Sequence, residues 1–268
     1  MCDTCGCTIT PANFHLVQAK GKLENTAQGK ASVEVLAGLL HENDHQANHN
    51  REHFDRHGVL AINLMSSPGS GKTSLLEATI EALGDAVRIA VVEGDLETEN
   101  DARRIREKGV PAIQITTGQA CHLDAHMVHD ALHSLDLDDV DLLFIENVGN
   151  LVCPASFDLG HHANVTLLSV TEGDDKPAKY PVMFRAADLI LLTKSDFLEM
   201  IDDFDTGKAE RHVRELANPA DVLTLSVRRP ASLEGWLAWL RQMLRARQGG
   251  EKLVPKIQPN DPSLHMSG

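Results

Sequence analysis

The sequence predicts an α/β protein with a mostly parallel sheet, preceded by an N-terminal arm and a helix. Two observations carry this. Seven short, continuous apolar runs recur between residues 59 and 225, separated by segments long enough for crossover helices. Strands that are apolar on both faces belong to parallel sheets covered on both sides. A Gly/Ser loop also follows the first run, at the carboxyl end where such sheets bind ligands.

Residues 1–31 form an arm of weak periodicity that carries Cys2, Cys5 and Cys7. From Ser32 the pattern turns helical, with Val33, Leu36, Leu39 and Leu40 at helical spacing, and runs to His57, where Gly58 stops it. The strands follow as 59–65, 88–92, 112–115, 141–145, 165–170, 189–192 and 222–225. Residues 32–247 are expected to form one domain with its leading helix. Residues 248–268, rich in Pro, Gln, Lys and Ser, are expected to be a loose tail.

A net charge of −14 without a clustered basic face argues against a nucleic-acid partner. No apolar run approaches membrane-spanning length, and the N-terminus lacks the apolar core of a signal peptide. Both point to the cytoplasm. In a reducing compartment, closely spaced cysteines are read as metal or redox groups before disulfides.

Ser66-Ser67-Pro68-Gly69-Ser70-Gly71-Lys72-Thr73 has the spacing of a phosphate-binding loop, with Ser66 in place of the first glycine. Small residues let successive amides wrap phosphates, and the helix N-terminus favours anions. Gly69, Ser70, Gly71, Lys72, Thr73 and Ser74 are the expected contacts, with Thr73 on Mg²⁺. Thr193-Lys194-Ser195-Asp196 after the sixth strand is similar to the guanine-reading element of G proteins. There Lys194 and Asp196 would select GTP, and Ser226 would back the base through its backbone. Asp95 and Glu146 end the second and fourth strands and offer hard oxygen ligands to Mg²⁺. The spacing from Glu146 to Gly149 lets the Gly149 amide sense a γ-phosphate. Asp101 is a further candidate for positioning water, although Thr98-x-x-Asp101 also has the spacing of a helix cap, the reading we prefer.

The remaining cysteines point to metal. Cys121-His122 and Cys153 lie outside strands on the nucleotide-facing edge. Two thiolates and one imidazole are too few to close a tetrahedral site, so water or a second subunit must complete it. Cys2, Cys5 and Cys7 can clamp one ion, with the α-amine as a fourth donor if Met1 is removed. Such a site suits Ni²⁺, and thiolate clusters also accept Zn²⁺ or Cu⁺. His41, His45, His49, His53 and His57 recur every four residues. Adjacent pairs would face each other on a helix, as in a low-affinity metal reservoir, but a four-residue step drifts around it, so the five cannot share one site, and most are expected to be solvated helix residues, some packing on the domain.

These segments resemble the HypB family of nickel-inserting GTPases in [NiFe]-hydrogenase maturation. The likeness is carried by the N-terminal cysteine cluster, the 63–73 loop, Cys121-His122-Leu123-Asp124-Ala125-His126, the 146–154 segment and Glu172-Gly173-Asp174-Asp175-Lys176-Pro177. The resemblance implies a dimer-activated P-loop GTPase with a nickel site at the N-terminal cysteines. It implies a second nickel or zinc site at Cys121, His122 and Cys153, near a GTP-stabilised homodimer interface. It further implies a HypA-type nickel chaperone and the hydrogenase large-subunit precursor as partners, with Lys176 reaching the opposite subunit's nucleotide. The urease- and cobalamin-linked GTPases are the nearest alternative, and the N-terminal thiols and Cys121-His122 argue against them. A storage protein with a vestigial nucleotide fold is the other, and intact Lys72, Thr73, Asp95, Glu146 and Asp196 argue against that.

Overall fold

The structure, a computed structural model, describes residues 30–95, 99–118, 120–259 and 261–265. The N-terminal cysteine cluster lies outside the described residues. Helix α1 (Lys30–His57) leads into β1 (Leu60–Ser66), α2 (Lys72–Leu83), β2 (Ile89–Asp95), α3 (Asn100–Glu107) and β3 (Ala112–Thr116). Then come α4 (Ala125–Leu132), β4 (Leu142–Glu146), β5 (Ala163–Ser169), α5 (Lys176–Lys179), α6 (Pro181–Ala186) and β6 (Leu189–Thr193). Helix α7 (Thr206–Glu215), β7 (Asp221–Thr224) and α8 (Glu234–Gln248) complete the domain.

The seven strands form one sheet in the order β3-β2-β4-β1-β5-β6-β7, and every pairing is parallel. Register brings the chemistry to one edge. Glu93 pairs with Glu146, and Leu64 with Glu146 from the other side; Ser169 pairs with Thr193. The carboxyl ends of β1, β2, β4, β5 and β6 therefore form a single rim.

Alternation along β1 builds the core on both faces. Leu60, Ile62 and Leu64 pack with Leu75, Leu76 and Trp236 from α2 and α8. Ala61 packs with Phe54, Val128 and Leu143, beneath α1 and α4, whereas Met65 joins the cluster of Met183, Phe184 and Val213. Trp236 is fully buried and donates its indole N–H to Thr79 Oγ1 at 2.8 Å, so its polar end is satisfied.

From Asn43 onward helix α1 docks through polar groups as well as through buried Ala47 and Phe54. Asn43 Nδ2 donates to the Asp158 carbonyl at 2.8 Å, and its Oδ1 accepts from Ala125 N at 2.9 Å. Asn50 Nδ2 donates to the carbonyls of Ala125 and Leu159 at 2.8 and 3.2 Å. Arg51 forms a two-pronged buried pair with Asp158 at 2.8 and 2.7 Å. Gly160, at φ +87°, lets this backbone come so close that a Cβ would lie 2.5 Å from the Ala47 carbonyl. Gly58, at φ +69°, follows the end of the helix.

The C-terminal segment departs from expectation. Read as a loose tail, it instead packs on the domain. Lys256 N donates to Asp188 Oδ1 at 2.9 Å, Arg185 donates to the Leu264 carbonyl at 2.7 Å, and Leu264 is fully buried. Leu264 and Ile257 join the cluster beneath α6 and α7, and that apolar burial holds the segment despite its polar composition.

Candidate functional site

Between Ser66 and Lys72 the chain turns through Gly69 and Gly71, at φ +76° and +95°, the left-handed region that glycine enters without penalty. The loop and the N-terminus of α2 line a hollow of about 420 Å³. Lys72 is buried and donates to Ser66 Oγ at 3.0 Å. The serine that replaces the first glycine thus holds the lysine in place. Lys194, itself left-handed at φ +58°, donates to the Gly69 carbonyl at 2.7 Å, and Thr193 Oγ1 donates to the Ser70 carbonyl at 2.7 Å. The guanine-type element and the phosphate loop are one bonded unit.

Thr73 Oγ1 donates to Glu146 Oε1 at 2.9 Å. The other Glu146 oxygen is buried with no hydrogen-bond partner among the described residues, and so is Glu93 Oε2. Burial pushes the Glu93 carboxyl up to about 8, and the nearby Glu146, Asp101 and Asp95 add to the shift. Burial pushes Glu146 up to about 7 against the opposing pull of Lys72 and Thr73. Glu93, Asp95 and Glu146 line the same hollow as Lys72 and Thr73. Buried carboxylate oxygens with unused lone pairs fit a hard divalent ion such as Mg²⁺. Glu93 escapes a sequence reading because its strand is otherwise read as apolar; its signal was the Glu93-x-Asp95 alternation on one strand face.

Asp101 lines this hollow, but its carboxylate accepts from Arg104 at 2.9 Å. The expected cap also shifts. Helix α3 starts at Asn100 with Glu99 in the cap position, so Asp101 lies inside the first turn, where its charge suits the helix dipole. Thr98 lies outside the described residues.

A second hollow of about 250 Å³, lined by Gly71, Thr193, Lys194, Asp196, Phe197 and Ser226 among others, adjoins the loop. The Ser226 hydroxyl donates to Asp196 Oδ1 at 2.5 Å, and Arg228 donates to Oδ2 at 3.3 Å. The Ser226 bond chiefly holds Asp196 below its usual range, keeping it an acceptor. The Ser226 backbone, expected to back the base, is bonded within its own loop. Its N–H donates to Ser232 Oγ at 2.9 Å, and its carbonyl accepts from Ser232 and Arg229 at 3.0 Å each. Its hydroxyl is the group that reaches Asp196. Arg228 was not foreseen; its guanidinium lies 5.6 Å from the Phe197 ring centroid.

The metal candidates converge. Cys121 Sγ is 3.2 Å from Cys153 Sγ and 3.8 Å from His122 Nδ1, and all three ligand atoms lie within 4.8 Å of one another. No other such group of three exists among the described residues. Burial lowers His122 to about 4, so its ring is neutral at physiological pH, and it stacks on Phe157 at 3.8 Å between centroids. Two thiols and a neutral imidazole suit a borderline or soft ion, with a fourth position left open.

This cluster is tied to the phosphate loop. Asn150 N donates to the Ser66 carbonyl at 2.8 Å, and Asn150 Nδ2 to the Cys121 carbonyl at 3.1 Å. Asn147 Oδ1 accepts from Leu123 N at 3.1 Å. Gly149 lies so close to the loop that a Cβ would stand 2.8 Å from Pro68 Cα.

Lys176 lines neither hollow; its ammonium lies 5.3 Å from the Tyr180 ring centroid. Glu172, also unforeseen as a site residue, accepts from the Ser67 and Ser70 hydroxyls of the phosphate loop. Of the histidine series, His41, His45 and His49 are exposed, and His49 and His53 make edge contacts with His129 of α4.

Comparison with known proteins agrees with this geometry. Residues 60–224 match the family model for the CobW/HypB/UreG nucleotide-binding domain. The chain is 52% identical over 246 residues to the hydrogenase maturation factor HypB of Azotobacter vinelandii, covering 91% of this chain and 79% of that one. It is 53% identical over 208 residues to the HypB of Rhizobium leguminosarum bv. viciae, covering 78% and 69%. Among solved structures it superposes on HypB from Helicobacter pylori in complex with nickel. The TM-score is 0.74 at 42% identity, over 79% of this chain and 98% of that one. HypB from Archaeoglobus fulgidus gives a TM-score of 0.71 at 43% identity, over 76% and 100%. The chain belongs to the HypB branch of the CobW/HypB/UreG family, the hydrogenase maturation factors.

Proposed function

We propose that this chain is a GTP-hydrolysing nickel metallochaperone that inserts nickel into the [NiFe]-hydrogenase large-subunit precursor, with nucleotide-linked dimerisation and metal release. The observation that carries the proposal is the short bonded path from the phosphate loop through Asn150 to the Cys121/His122/Cys153 cluster. A nucleotide-driven shift of Gly149 and Asn150 would move the backbone that supports two of the three metal ligands.

In this reading Lys72 and the amides of residues 69–74 bind the phosphates, and Asp196, held by Ser226, accepts from the guanine edge. Thr73, Asp95 and Glu146 would hold Mg²⁺, with Glu93 beside them. Bound Mg²⁺ supplies charge neutralisation for phosphoryl transfer. Thr73 and Glu146, bonded to each other at 2.9 Å, would both lie at the cation, so this contact would tie β4's last residue and the 147–153 segment to the nucleotide site. Gly149 would donate its amide to the γ-phosphate and lose that contact on hydrolysis, an order–disorder switch. Nickel, or zinc in its place, is the cargo at Cys121, His122 and Cys153. The N-terminal Cys2, Cys5 and Cys7 form a second, tighter nickel site. Lys176, which lines neither of the chain's own hollows, would reach the nucleotide of the second subunit. A HypA-type chaperone and the hydrogenase precursor are the protein partners, and the site of action is the cytoplasm. No helix among the described residues is long and apolar enough to cross a membrane.

The test is transfer of nickel from the loaded chain to a chromophoric chelator, followed alongside phosphate release. Release should accelerate with GTP and Mg²⁺ but not with a non-hydrolysable analogue, and Lys72→Ala should abolish the difference. Equal release with GTP, the analogue and no nucleotide would defeat the proposal.

A further inference from the structure

A second group of imidazoles lies away from the thiolate cluster, on the seam between α1 and α4. His53, His57, His129 and His133 line one hollow of about 230 Å³, with Asp136 at its edge. His49 adjoins it. Its ring centroid is 4.6 Å from that of His53 and 5.0 Å from that of His129, and His129 is 4.7 Å from His133. The two helices supply these rings in i, i+4 pairs, the spacing that stacks side chains on one face.

Three of the four hollow-lining rings have their Nδ1 committed to an oxygen acceptor. His57 Nδ1 contacts the Asp138 carboxylate at 2.7 Å, and His133 Nδ1 the His129 carbonyl at 3.0 Å. His129 Nδ1 contacts Asn50 Oδ1 at 3.1 Å. The Asn50 amide nitrogen already donates to two carbonyls, so its oxygen must be the acceptor. An Nδ1–H bonded to oxygen leaves the lone pair on Nε2, the arrangement of metal-binding histidines with an outer-shell partner. No three of these ligand atoms lie as close together as in the thiolate cluster, so binding an ion would turn the rings from these positions and loosen some of the Nδ1 contacts.

We infer that His53, His57, His129 and His133 bind one imidazole-preferring divalent cation, of the class Ni²⁺, Zn²⁺ or Cu²⁺, which staples α1 to α4. The inference stands apart from the nucleotide reading, because no group in it touches the phosphate loop or the thiolates. It also gives a role to part of a histidine series that was expected to be solvated.

The test is Zn²⁺ and Ni²⁺ titration of the full chain with all five cysteines replaced by serine, with metal-edge X-ray absorption of the loaded protein. One ion should bind with nitrogen and oxygen neighbours only. Loss of an outer-shell partner alone weakens metal binding about 10–100-fold. His53→Gln with His129→Gln, which removes ligands, should therefore weaken it by at least about tenfold, while His41→Gln with His45→Gln leaves it unchanged. His133→Gln, at an exposed ring, repeats the measurement with the least risk to folding. If the cysteine-free chain does not fold, the same histidine variants are compared with the cysteines intact, and the bound-ion count should fall by one. Unchanged binding in the His53/His129 variant, or loss in the His41/His45 variant, overturns the inference.

Discussion

Replacing Gly149 with alanine tests the link between nucleotide and metal at its narrowest point. The new Cβ would sit 2.8 Å from Pro68 Cα, 2.9 Å from Pro68 N and 3.1 Å from Pro68 Cγ, where ordinary contact begins at 3.4 Å. Two of these are backbone atoms, so no rotamer relieves the clash. The phosphate loop or the 147–153 segment must retreat by about 0.6 Å. Overpacking of this kind costs about 1–3 kcal/mol. If the retreat is taken by the loop, that energy is charged against nucleotide binding, a loss of about 5–150-fold in affinity. The assay is titration with a fluorescent GTP analogue, alongside thermal melting of the nucleotide-free chain. Where the loop takes the retreat, nickel binding without nucleotide should be near that of the parent, because the 147–153 segment that carries Cys153 then stays in place. The effect of GTP on that binding should shrink. A Gly149→Ala chain with parental GTP affinity and an undiminished effect of GTP on nickel would refute the argument.

Other expectations follow from the same geometry. Asp196→Asn removes a guanine-edge acceptor and should lower GTP affinity by about 1–3 kcal/mol, a cost typical of one unmatched buried hydrogen bond; xanthosine triphosphate should regain part of it in competition binding. Cys153→Ser should lower nickel affinity at the inner cluster by at least about tenfold, while GTP binding stays intact. The raised Glu93 and Glu146 predict a pH effect with a definite sign. Between about 4.5 and the folded values near 8 and 7, the folded chain holds protons that the unfolded chain has released. Stability without nucleotide should therefore fall as pH rises through that window. Melting from pH 6 to 8.5 checks this: Glu93→Gln should flatten the slope, saturating Mg²⁺ and GTP should reduce it, and a flat parent profile would count against the two carboxyls.

What was legible in the sequence is what is contiguous. The 66–73 loop, the 193–196 element and the strand ends at Asp95 and Glu146 are local patterns, and each lies on the common rim. Groups defined by a neighbour distant in sequence were not legible. Glu93 matters because register places it opposite Glu146, and Glu172 because β5 delivers it to Ser67 and Ser70. Ser226 lines the hollow beside Asp196, and only the structure reveals that Ser232 engages its backbone. The periodic apolar residues of α1 lie near its start, whereas Asn43, Asn50 and Arg51 anchor it further along. That docking sets the histidines of α1 against those of α4. The last residues looked unstructured by composition, yet Leu264 inserts into a cluster that the tail alone does not reveal.

The most direct test of the central claim is nickel affinity at the Cys121/His122/Cys153 cluster, measured with and without GTP and Mg²⁺ in a chain carrying serine at positions 2, 5 and 7, with mass followed by light scattering. The account predicts that GTP changes both the affinity and the dimer population, and that Cys121→Ser removes the responding site. Nickel binding that ignores nucleotide, or that survives Cys121→Ser unchanged, would contradict it.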